Sequence, residues 1–508
     1  MLARIMNKSF GTIRDMFTMA DAPMFGIENI ENEIRMLSRN SKSHEWTSPS
    51  GELFQIEIPP TVYPPREDTD LMAKAIIKLG PGKGRKCLEI GCGSGVLSVL
   101  AYRQGWKVTA CDINPFAVAC TKGIAKDNFS DIVVNEGGPS PKIDGEVNQW
   151  TGGDKFDLVF WNLPYLKPDS SMTDTLGPLE EAALLDTDRE GLFERVLNLM
   201  KTDILNDSGI ALFVVSSQNL NLQPKLKCIS KGFSARTISK LSFDDGEELQ
   251  VIAVWKPFIN GKKIFLEQAS STNTQLLDSS YPVGSSICTP KQISGHGRRG
   301  RDWIDTEKSF AGSWKLYDST TLLEPGLLQI VAGTCVKNSI LSLAKDAKGK
   351  EILIKWPNDL LVFDSSEWKK VCGILVESRT SGKNMSVVLG IGINLSGTES
   401  IGREFDIGFL QSFTKMIKFE DIQNTIDASI ASFFEQKDMI PNISLEDLLQ
   451  LVNTEVETSI SHLSQPLYRN NHVTFKSILN DGKMEIISGN GDVIAIDDGE
   501  SLTWGKIS

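Results

Sequence analysis

A glycine-rich turn between two acidic residues is the first stretch of this sequence whose residue types and spacing could do chemistry. Glu89 closes an apolar run, and Gly91, Gly93 and Gly95 follow it at every second position. Glycines at a strand-to-helix turn let backbone N–H groups approach a ligand closely. The spacing E-x-G-x-G-x-G differs from the G-x-G-x-x-G of a dinucleotide site, and Asp112 ends the next apolar run. An acidic group there suits the ribose hydroxyls of S-adenosylmethionine, so these five residues are candidate cofactor ligands.

A second stretch, Asn162-Leu163-Pro164-Tyr165, directly follows the apolar run "FDLVFW". Two acceptors, the side-chain oxygen of Asn162 and the next backbone carbonyl, could hold the N–H groups of a planar nitrogen and aim its delocalised lone pair. Tyr165 could pack against the planar group. We predict catalytic roles for Asn162 and Tyr165, and we count Asn162 among the cofactor-binding residues as well.

The second half of the chain carries five further motifs over about 125 residues. They are "SSTNTQLL" (270–277), "KQISGHGRRGRDW" (291–303), "IKWPNDLLV" (354–362), "KKVCGILVES" (369–378) and "GIGINL" (390–395). A glycine loop with arginines is by itself a weak signal, because many such clusters are solvated turns. The order and spacing of all five motifs together make the signal specific.

The elements that must position these residues follow from the apolar periodicity. From about 66 to 256, the strands "KCLEI", "WKVTACD", "FDLVFWN", "GIALFVVSS" and "LQVIAVW" alternate with helical segments, which predicts a mostly parallel sheet covered by helices. Short helices and then a hairpin around "GELFQIEIPP" precede it. The Pro and Gly of "KPFING" (256–261) indicate a domain boundary. Strands "EILIKW", "CGILVES" and "MSVVLGIGINL" follow, and short strands broken by "NDG", "GNGD" and "DDGE" predict a small β-barrel at about 465–508.

Residues 62–256 resemble the HemK-like release-factor glutamine methyltransferases. The resemblance rests on "VYPPREDTDLM" (62–72), the glycine loop, "CDINPFAV" (111–118) and "NLPY", where that family has NPPY and Leu163 replaces the first proline. It implies a Rossmann-like fold, S-adenosylmethionine as cofactor, a protein glutamine as the methyl acceptor, and a peptide chain release factor as partner. The same motif serves adenine-N6 methyltransferases acting on nucleic acid, which is the alternative for this half.

The five motifs of the second half resemble biotin protein ligases. The resemblance implies an α+β catalytic domain that uses biotin, ATP and Mg²⁺, and a biotin carboxyl carrier domain of a carboxylase as partner. It makes Lys355 and Arg298 catalytic, because cations must gather the biotin carboxylate and the phosphates against their repulsion. The implied substrate-binding residues are Ser271, Thr272, Asn273, Gln292, Gly295, His296, Gly297, Arg298, Arg299, Gly300, Arg301, Lys355, Asn358, Asp359, Lys370, Gly373 and Asn394. The alternative for this half is a biotin binder without catalysis.

The predicted organisation is therefore α/β, with a fusion of two enzymes. An N-terminal extension (1–61) precedes a Rossmann-like S-adenosylmethionine-dependent methyltransferase domain (62–258). The biotin ligase catalytic domain (262–440) and a C-terminal helix with a small SH3-like β-barrel (441–508) follow. We expect the protein to be a bifunctional enzyme that biotinylates a carrier-domain lysine through biotinoyl-5'-AMP and N-methylates a protein glutamine.

Bulk composition sets the remaining expectations. The 508 residues carry 40% apolar and 23% charged residues, and the net charge is −12. An acidic chain is a poor partner for the phosphate backbone, which argues against nucleic acid. We find no secretory signal and expect no membrane partner. The eight cysteines have neither CxxC pairs nor metal-ligand spacing, so we expect reduced thiols, no resident metal site and a cytoplasmic protein.

Overall fold

The computed structural model describes residues 39–139, 147–164, 191–216, 224–244, 246–297, 308–319, 323–344, 351–364, 367–381, 384–398, 404–414, 417–463 and 465–504. The short helices predicted before residue 39 lie outside these residues. The chain forms two compact units. The first runs to Lys227 and includes Ala235–Trp255 and Asp438–Ile440. The second comprises Cys228–Ser234, Lys256–Lys437 and Pro441–Ser508.

A mixed seven-stranded sheet forms the centre of the first unit. Up to Trp255, the strands are β1 Lys42–Thr47, β2 Leu53–Ile58, β3 Lys86–Ile90, β4 Lys107–Asp112, β5 Val133–Glu136, β6 Phe156–Asn162, β7 Leu205–Ser216, β8 Ser234–Ser242 and β9 Glu248–Trp255. The sheet order is β5-β4-β3-β6-β7-β9-β8, while β1 and β2 form a separate antiparallel hairpin. Strands β5, β4, β3, β6 and β7 are parallel, and β9 is antiparallel to β7. The predicted parallel sheet and hairpin are confirmed.

Helices follow the parallel strands, as βαβ units require. Up to Trp255 they are α1 Glu67–Lys78, α2 Val96–Arg103, α3 Pro115–Asp127, α4 Val147–Thr151, α5 Leu192–Thr202 and α6 Pro224–Ser230. The apolar residues Leu71, Met72, Ala75 and Ile76 recur at helical spacing and are buried, so α1 packs one face into the core. The central strand β6 is buried at five of its seven residues, as expected of a parallel strand covered on both sides.

The second unit is built on another seven-stranded sheet. From Lys263 onward, the strands are β10 Lys263–Phe265, β11 Ser286–Thr289, β12 Lys308–Ser319, β13 Ile352–Lys355, β14 Asp359–Asp364, β15 Glu367–Ser381 and β16 Asn384–Ser396. The sheet order is β10-β11-β12-β16-β15-β14-β13. Only the β10–β11 pair is parallel, and the other pairs are antiparallel. This arrangement confirms an α+β rather than a doubly wound fold for the second unit.

Three long helices contribute to the core of the second unit. From Thr272 onward, the helices are α7 Thr272–Leu277, α8 Pro325–Leu343, α9 Leu410–Phe413, α10 Phe419–Phe434 and α11 Leu445–Leu463. The three long ones are α8, α10 and α11. The core contains buried side chains of α8, α10 and α11 together with alternate residues of β16, namely Leu389, Ile391 and Ile393. Because side chains alternate along a strand, Gly390, Gly392 and Asn394 share the opposite face of the sheet.

Within the described residues, α8 is the one helix long and apolar enough to cross a membrane, and 72% of its 18-residue apolar window is buried in the protein. A mostly buried helix of this kind is typical of the core of a globular domain.

Short strands end the second unit. They are β17 Leu467–Tyr468, β18 Asn471–His472, β19 Thr474–Ile478, β20 Met484–Ile487, β21 Val493–Ile496 and β22 Leu502–Thr503, with a 3-10 turn at Gly499–Ser501. They form two three-stranded antiparallel sheets, β18-β17-β22 and β19-β20-β21. Trp356, 1% exposed, donates its indole N–H to the carbonyl of Gly482 at 3.0 Å, so it connects the large sheet to this segment. The SH3-like barrel stays a prediction.

Candidate functional site

The first candidate site is a cavity of about 150 Å³ at the carboxyl ends of β3, β4 and β6. Ligands of open α/β sheets bind at this edge, where the strand order reverses. Five of the six cofactor-binding residues predicted from the sequence line this cavity, namely Glu89, Gly91, Gly93, Asp112 and Asn162. The sixth, Gly95, is the residue that precedes α2. The structure therefore brings together residues 73 positions apart, from Glu89 to Asn162.

The glycine turn has the backbone geometry that only glycine adopts readily. Gly91 and Gly95 have φ of 67° and 84°. A Cβ on Gly91 would lie 2.8 Å from the indole nitrogen of Trp161, and one on Gly95 would lie 2.8 Å from the Cα of Thr121. The turn thus keeps its backbone close to both the cavity wall and α3, which is the cradle that a nucleotide-type cofactor requires.

Asp112 is held in place by two backbone donors. Its Oδ2 accepts the N–H of Gly93 at 2.9 Å, and its Oδ1 accepts the N–H of Asn114 at 2.8 Å. Burial raises the pKa of Asp112 to about 6, against the lowering effect of these hydrogen bonds. The carboxylate keeps spare lone pairs for hydroxyl donors of a ligand.

Glu89 lines the same cavity and is 3% exposed. It accepts a hydrogen bond from the hydroxyl of Ser98. Burial raises the pKa of Glu89 to about 8, and the charge of Asp112 adds to the rise. Two neighbouring carboxyl groups therefore titrate in different pH ranges, with Glu89 largely protonated at neutral pH.

Asn162 presents an unused acceptor to this cavity. Its side-chain N–H donates to Oδ2 of Asp68 at 2.8 Å. Its Oδ1 is buried and has no hydrogen-bond partner among the described residues. A buried acceptor without a partner costs free energy unless a ligand satisfies it. The residues present thus fit a methyl donor at the glycine turn and an N–H donor at Asn162. Tyr165 lies outside the described residues.

Asp68, Tyr63 and Trp161 line the cavity but were missed by the sequence analysis. Asp68 is 4% exposed and lies in the first turn of α1, within the quoted segment "VYPPREDTDLM". Burial raises the pKa of Tyr63 to about 12, and the nearby charge of Asp68 adds to it. The one signal in the sequence was the place of Asp68 within the quoted segment, since its burial is visible only in the structure.

The second candidate site lies on the face of the second sheet opposite its helical core. At its centre, Thr272 donates both its N–H and its hydroxyl to the Oε1 of Gln292, each at 3.0 Å. The hydroxyl of Ser313 lies 2.7 Å from the Thr272 hydroxyl and 2.6 Å from Oδ1 of Asn273. Asn273 also donates to Oε2 of Glu377 at 2.6 Å.

A glycine makes room for this polar cluster. A Cβ on Gly390 would lie 2.7 Å from Nδ2 of Asn273 and nearer still to its Oδ1. Thr272, Asn273 and Gln292 of the prediction are therefore brought together, and Ser313 and Glu377 join them. Ser271 precedes α7 and caps it by accepting the N–H of Thr274.

The cationic part of the site lies across neighbouring strands. Strand pairing places Lys355 opposite Asp359, Asp359 opposite Gly373, and Gly373 opposite Gly392. Gly390 and Gly392 are two residues apart on β16, so the Gly392 end of this row lies about 7 Å along the strand from Gly390, which contacts the polar cluster, and the row runs across the sheet from there to Lys355. The predicted residues Lys355, Asp359 and Gly373 thus share one surface with the polar cluster.

Lys355 in this row and Lys370 beside it each have an acidic partner. Lys355, with 9% of its side chain exposed, pairs with Glu404, and its Nζ lies 5.7 Å from the ring centre of Phe405. Lys370 pairs with Asp359 at 2.7 Å. Glu404 was missed by the sequence analysis, since it lies 49 residues beyond Lys355 in the chain.

Two asparagines complete the predicted set. Asn394 donates to the carbonyl of Lys370 at 3.4 Å, and its buried Oδ1 has no partner among the described residues. Asn358 donates its side-chain N–H to the carbonyl of Ile374 at 3.2 Å.

The glycine-arginine loop is described only in part. Gly295 is buried, Gly297 is half-buried and His296 is exposed. The predicted residues Arg298, Arg299, Gly300 and Arg301 lie outside the described residues.

The described residues hold no cluster of three or more His, Cys, Asp or Glu that could bind a metal ion. The eight cysteines, all within the described ranges, are buried thiols that form no disulfide, as predicted.

A glycine turn at the carboxyl ends of parallel strands is typical of sites for nucleotide-type cofactors, and comparison with known proteins narrows the class of protein. Residues 69–163 match the family described as ribosomal protein L11 methyltransferase (PrmA). Residues 265–394 match the biotin/lipoate A/B protein ligase family. The chain therefore joins a segment that matches a methyltransferase family to a segment that matches the biotin/lipoate protein ligase family.

Two curated relatives correspond to the two halves. A putative protein N5-glutamine methyltransferase of Methanocaldococcus jannaschii is 29% identical over 206 residues, which are 40% of this chain and 97% of that protein. A biotin–[acetyl-CoA-carboxylase] ligase of Paracoccus denitrificans is 35% identical over 140 residues, or 27% of this chain. The chain spans 56% of the length of that ligase.

Among solved structures, the biotin protein ligase of Aquifex aeolicus in complex with biotin and ATP is 20% identical and has a TM-score of 0.37. The match covers 48% of this chain and 99% of that structure.

Proposed function

We propose that the first unit transfers a methyl group from S-adenosylmethionine to the side-chain nitrogen of a protein glutamine, and that a peptide chain release factor carries this glutamine. The observation that supports this is the buried, partnerless Oδ1 of Asn162 in the cavity of the glycine turn. A methyl donor needs only a positioned nucleophile, because the bound cofactor supplies the reactive sulfonium methyl. The likeness to an N5-glutamine methyltransferase along nearly its whole length supports an amide nitrogen as the nucleophile.

The residues of the first unit position the acceptor and hold the cofactor. The Oδ1 of Asn162 accepts one N–H of the acceptor amide and turns the nitrogen lone pair toward the methyl group. Asp112, already fixed by Gly93 and Asn114, accepts the hydroxyls of the cofactor ribose. Tyr165 packs against the amide plane, following the family resemblance.

Replacement of Asn162 tests this role in the full chain. Asn162→Ala should leave the affinity for S-adenosylhomocysteine nearly unchanged, because the glycine turn and Asp112 remain. Single-turnover methyl transfer to a purified release factor should fall on the order of a hundredfold, the loss expected for a misplaced reacting group. Asn128→Ala, which changes an asparagine at the end of α3 outside the cavity, is the matched control. Undiminished transfer by Asn162→Ala would reject the proposed role.

We propose that the second unit joins biotin to a lysine of a carboxylase carrier domain by way of biotinoyl-5'-AMP. The observation that supports this is the polar cluster of Thr272, Asn273, Gln292 and Ser313 on the same sheet face as Lys355. The cluster offers donors and acceptors for the ureido head of biotin, and the lysine lies in the adjoining row, where the carboxylate would extend.

Charge stabilisation is the main chemical contribution of this unit. Lys355 is poised to stabilise the biotin carboxylate and the phosphate charge that develops as the adenylate forms. By resemblance, the anion-binding set is completed by Lys370, Asn394 and the arginines Arg298, Arg299 and Arg301. ATP supplies the adenylyl group, and we propose that Mg²⁺ accompanies its phosphates with Asn358 and Asp359 nearby.

Biotin-dependent exchange of pyrophosphate into ATP tests the ligase proposal without any protein acceptor. Lys355→Ala should lower exchange at least a hundredfold while biotin binding through the polar cluster persists. Lys476→Ala, an exposed lysine on β19, is the control for the lost charge. Wild-type binding of biotin without any exchange would instead identify a non-catalytic biotin binder.

The finer features of the organisation belong to the same proposal. We infer that the domain limits are 62–258, 262–440 and 441–508, that the two small terminal sheets form the SH3-like barrel, and that the protein works in the cytoplasm. Adenine-N6 methylation is not favoured, because an acidic chain is poorly suited to nucleic acid.

A further inference from the structure

Asn162 has a buried carboxylate partner, and that partner determines which end of its amide faces the cavity. The Oδ2 of Asp68 lies 2.8 Å from Nδ2 of Asn162. An ionised carboxylate can only accept hydrogen bonds, so it must face the NH₂ end of the amide. The carbonyl end is then left toward the cavity, and it is the atom that has no partner.

The position of Asp68 is itself fixed by the start of α1. Its Oδ1 accepts the N–H of Thr69 at 2.7 Å and lies 3.3 Å from the Thr69 hydroxyl. The Thr69 hydroxyl in turn accepts the N–H of Arg66 at 3.2 Å. The charge of Asp68 also contributes to the raised pKa of the nearby Tyr63 phenol, after burial. A carboxylate that is 4% exposed and hydrogen-bonded to both Thr69 and Asn162 has little freedom to rotate.

We infer that Asp68 is the positioning residue of the methyltransferase site, acting through Asn162. It joins the start of α1 to the end of β6 across 94 residues of sequence. Without it, the Asn162 amide could turn over and present its NH₂ to an acceptor NH₂, so that donor would meet donor. The inference rests on the proposed amide-methylation function and adds to it the residue that determines the orientation of the amide.

A double-mutant cycle in the full chain tests the inference. Asp68→Ala should lower single-turnover methyl transfer to a purified release factor about tenfold to a hundredfold, while S-adenosylhomocysteine affinity stays within about twofold. In the Asn162→Ala background, adding Asp68→Ala should cause no further loss, because the two residues act as one unit. Asp68→Asn, which keeps an acceptor oxygen but can also offer NH₂, should fall between wild type and Asp68→Ala.

Three results would overturn the inference. Additive losses in the double variant would show that Asp68 acts independently of Asn162, and a large loss of S-adenosylhomocysteine affinity would show a direct role in cofactor binding. A neutron crystal structure of Asp68→Ala with S-adenosylhomocysteine needs no methyl acceptor and distinguishes Nδ2 from Oδ1 of Asn162. We expect the amide to be turned over or to occupy both orientations, and a single orientation with Oδ1 toward the cavity would reject positioning. By contrast, full activity of Asn162→Ala alone would reject the proposed role of Asn162 itself.

Discussion

Glu89 is expected to destabilise the first unit at neutral pH, and Glu89→Gln is the change that reveals it. Glu89 is the penultimate residue of β3, is 3% exposed and accepts a hydrogen bond from Ser98. Its pKa is raised by burial, and secondarily by Asp112, from 4.5 to about 8. Glutamine keeps the size and the acceptor oxygen for Ser98 but cannot ionise.

The size and sign of the effect follow from proton linkage. The unfolded chain releases the proton near pH 4.5, whereas the folded chain retains it up to about pH 8. The folded state therefore binds more protons within this window, and the free energy of unfolding falls as the pH rises. The loss is under about 1 kcal/mol at pH 5, about 3 kcal/mol at pH 7, and levels off near 5 kcal/mol above pH 8.

The Glu89→Gln variant should escape this loss. Its unfolding free energy should exceed that of the wild type by these amounts, with the difference growing from pH 5 to pH 9. Urea unfolding followed by hydrogen exchange in peptides from β3 and α2 reports on the first unit alone. Ser477→Ala, on β19 of the second unit, should show no such difference. A stability difference that does not change between pH 5 and pH 9 would refute the reasoning.

Three further substitutions test the two sites. Asp112→Asn should weaken S-adenosylhomocysteine binding, measured by calorimetry, about tenfold at pH 8. The wild-type affinity should fall as the pH drops through about 6, where Asp112 is protonated. A wild-type affinity that does not change with pH would contradict this role of Asp112. Gly390→Ala should displace Asn273 and lower biotin affinity at least tenfold, about 1.4 kcal/mol. Gly489→Ala, which has open space for its Cβ, should leave biotin affinity unchanged. Equal affinities of the two variants would show that Asn273 does not contribute to biotin binding. Glu404→Gln should free Lys355 and lower the KM for biotin in pyrophosphate exchange by about twofold to fivefold, and a raised KM would instead make Glu404 part of the substrate pocket.

Much of the fold follows from short-range pattern. Strands β3 and β6 lie where the apolar runs "KCLEI" and "FDLVFWN" predict them, because central parallel strands are apolar on both faces. In contrast, β5 has four residues, "VVNE", and half of them are polar. Such a short edge strand is recognisable only through its pairing with β4, which the sequence alone does not specify.

The sites divide along the same line. The glycine turn, Asp112 and Asn162 belong to local motifs, and the spacing of these motifs predicts that they lie at the ends of neighbouring strands. Asp68 belongs to the site because it hydrogen-bonds to Asn162, which is 94 residues away in the chain. Glu377 belongs to its site because it hydrogen-bonds to Asn273, 104 residues away. Such contacts arise from tertiary packing, so residue type and spacing could not reveal them.

We propose that one chain carries both a methyl-transfer and a biotin-ligation activity. The most direct measurement is intact-protein mass spectrometry of a carboxylase carrier domain and a peptide chain release factor, incubated together with the full chain, biotin, ATP, Mg²⁺ and S-adenosylmethionine. We expect the carrier domain to gain the mass of one biotinoyl group and the release factor to gain the mass of one methyl group, each only when its own cosubstrates are present. Unchanged masses of both proteins, with the full chain folded, would contradict the account.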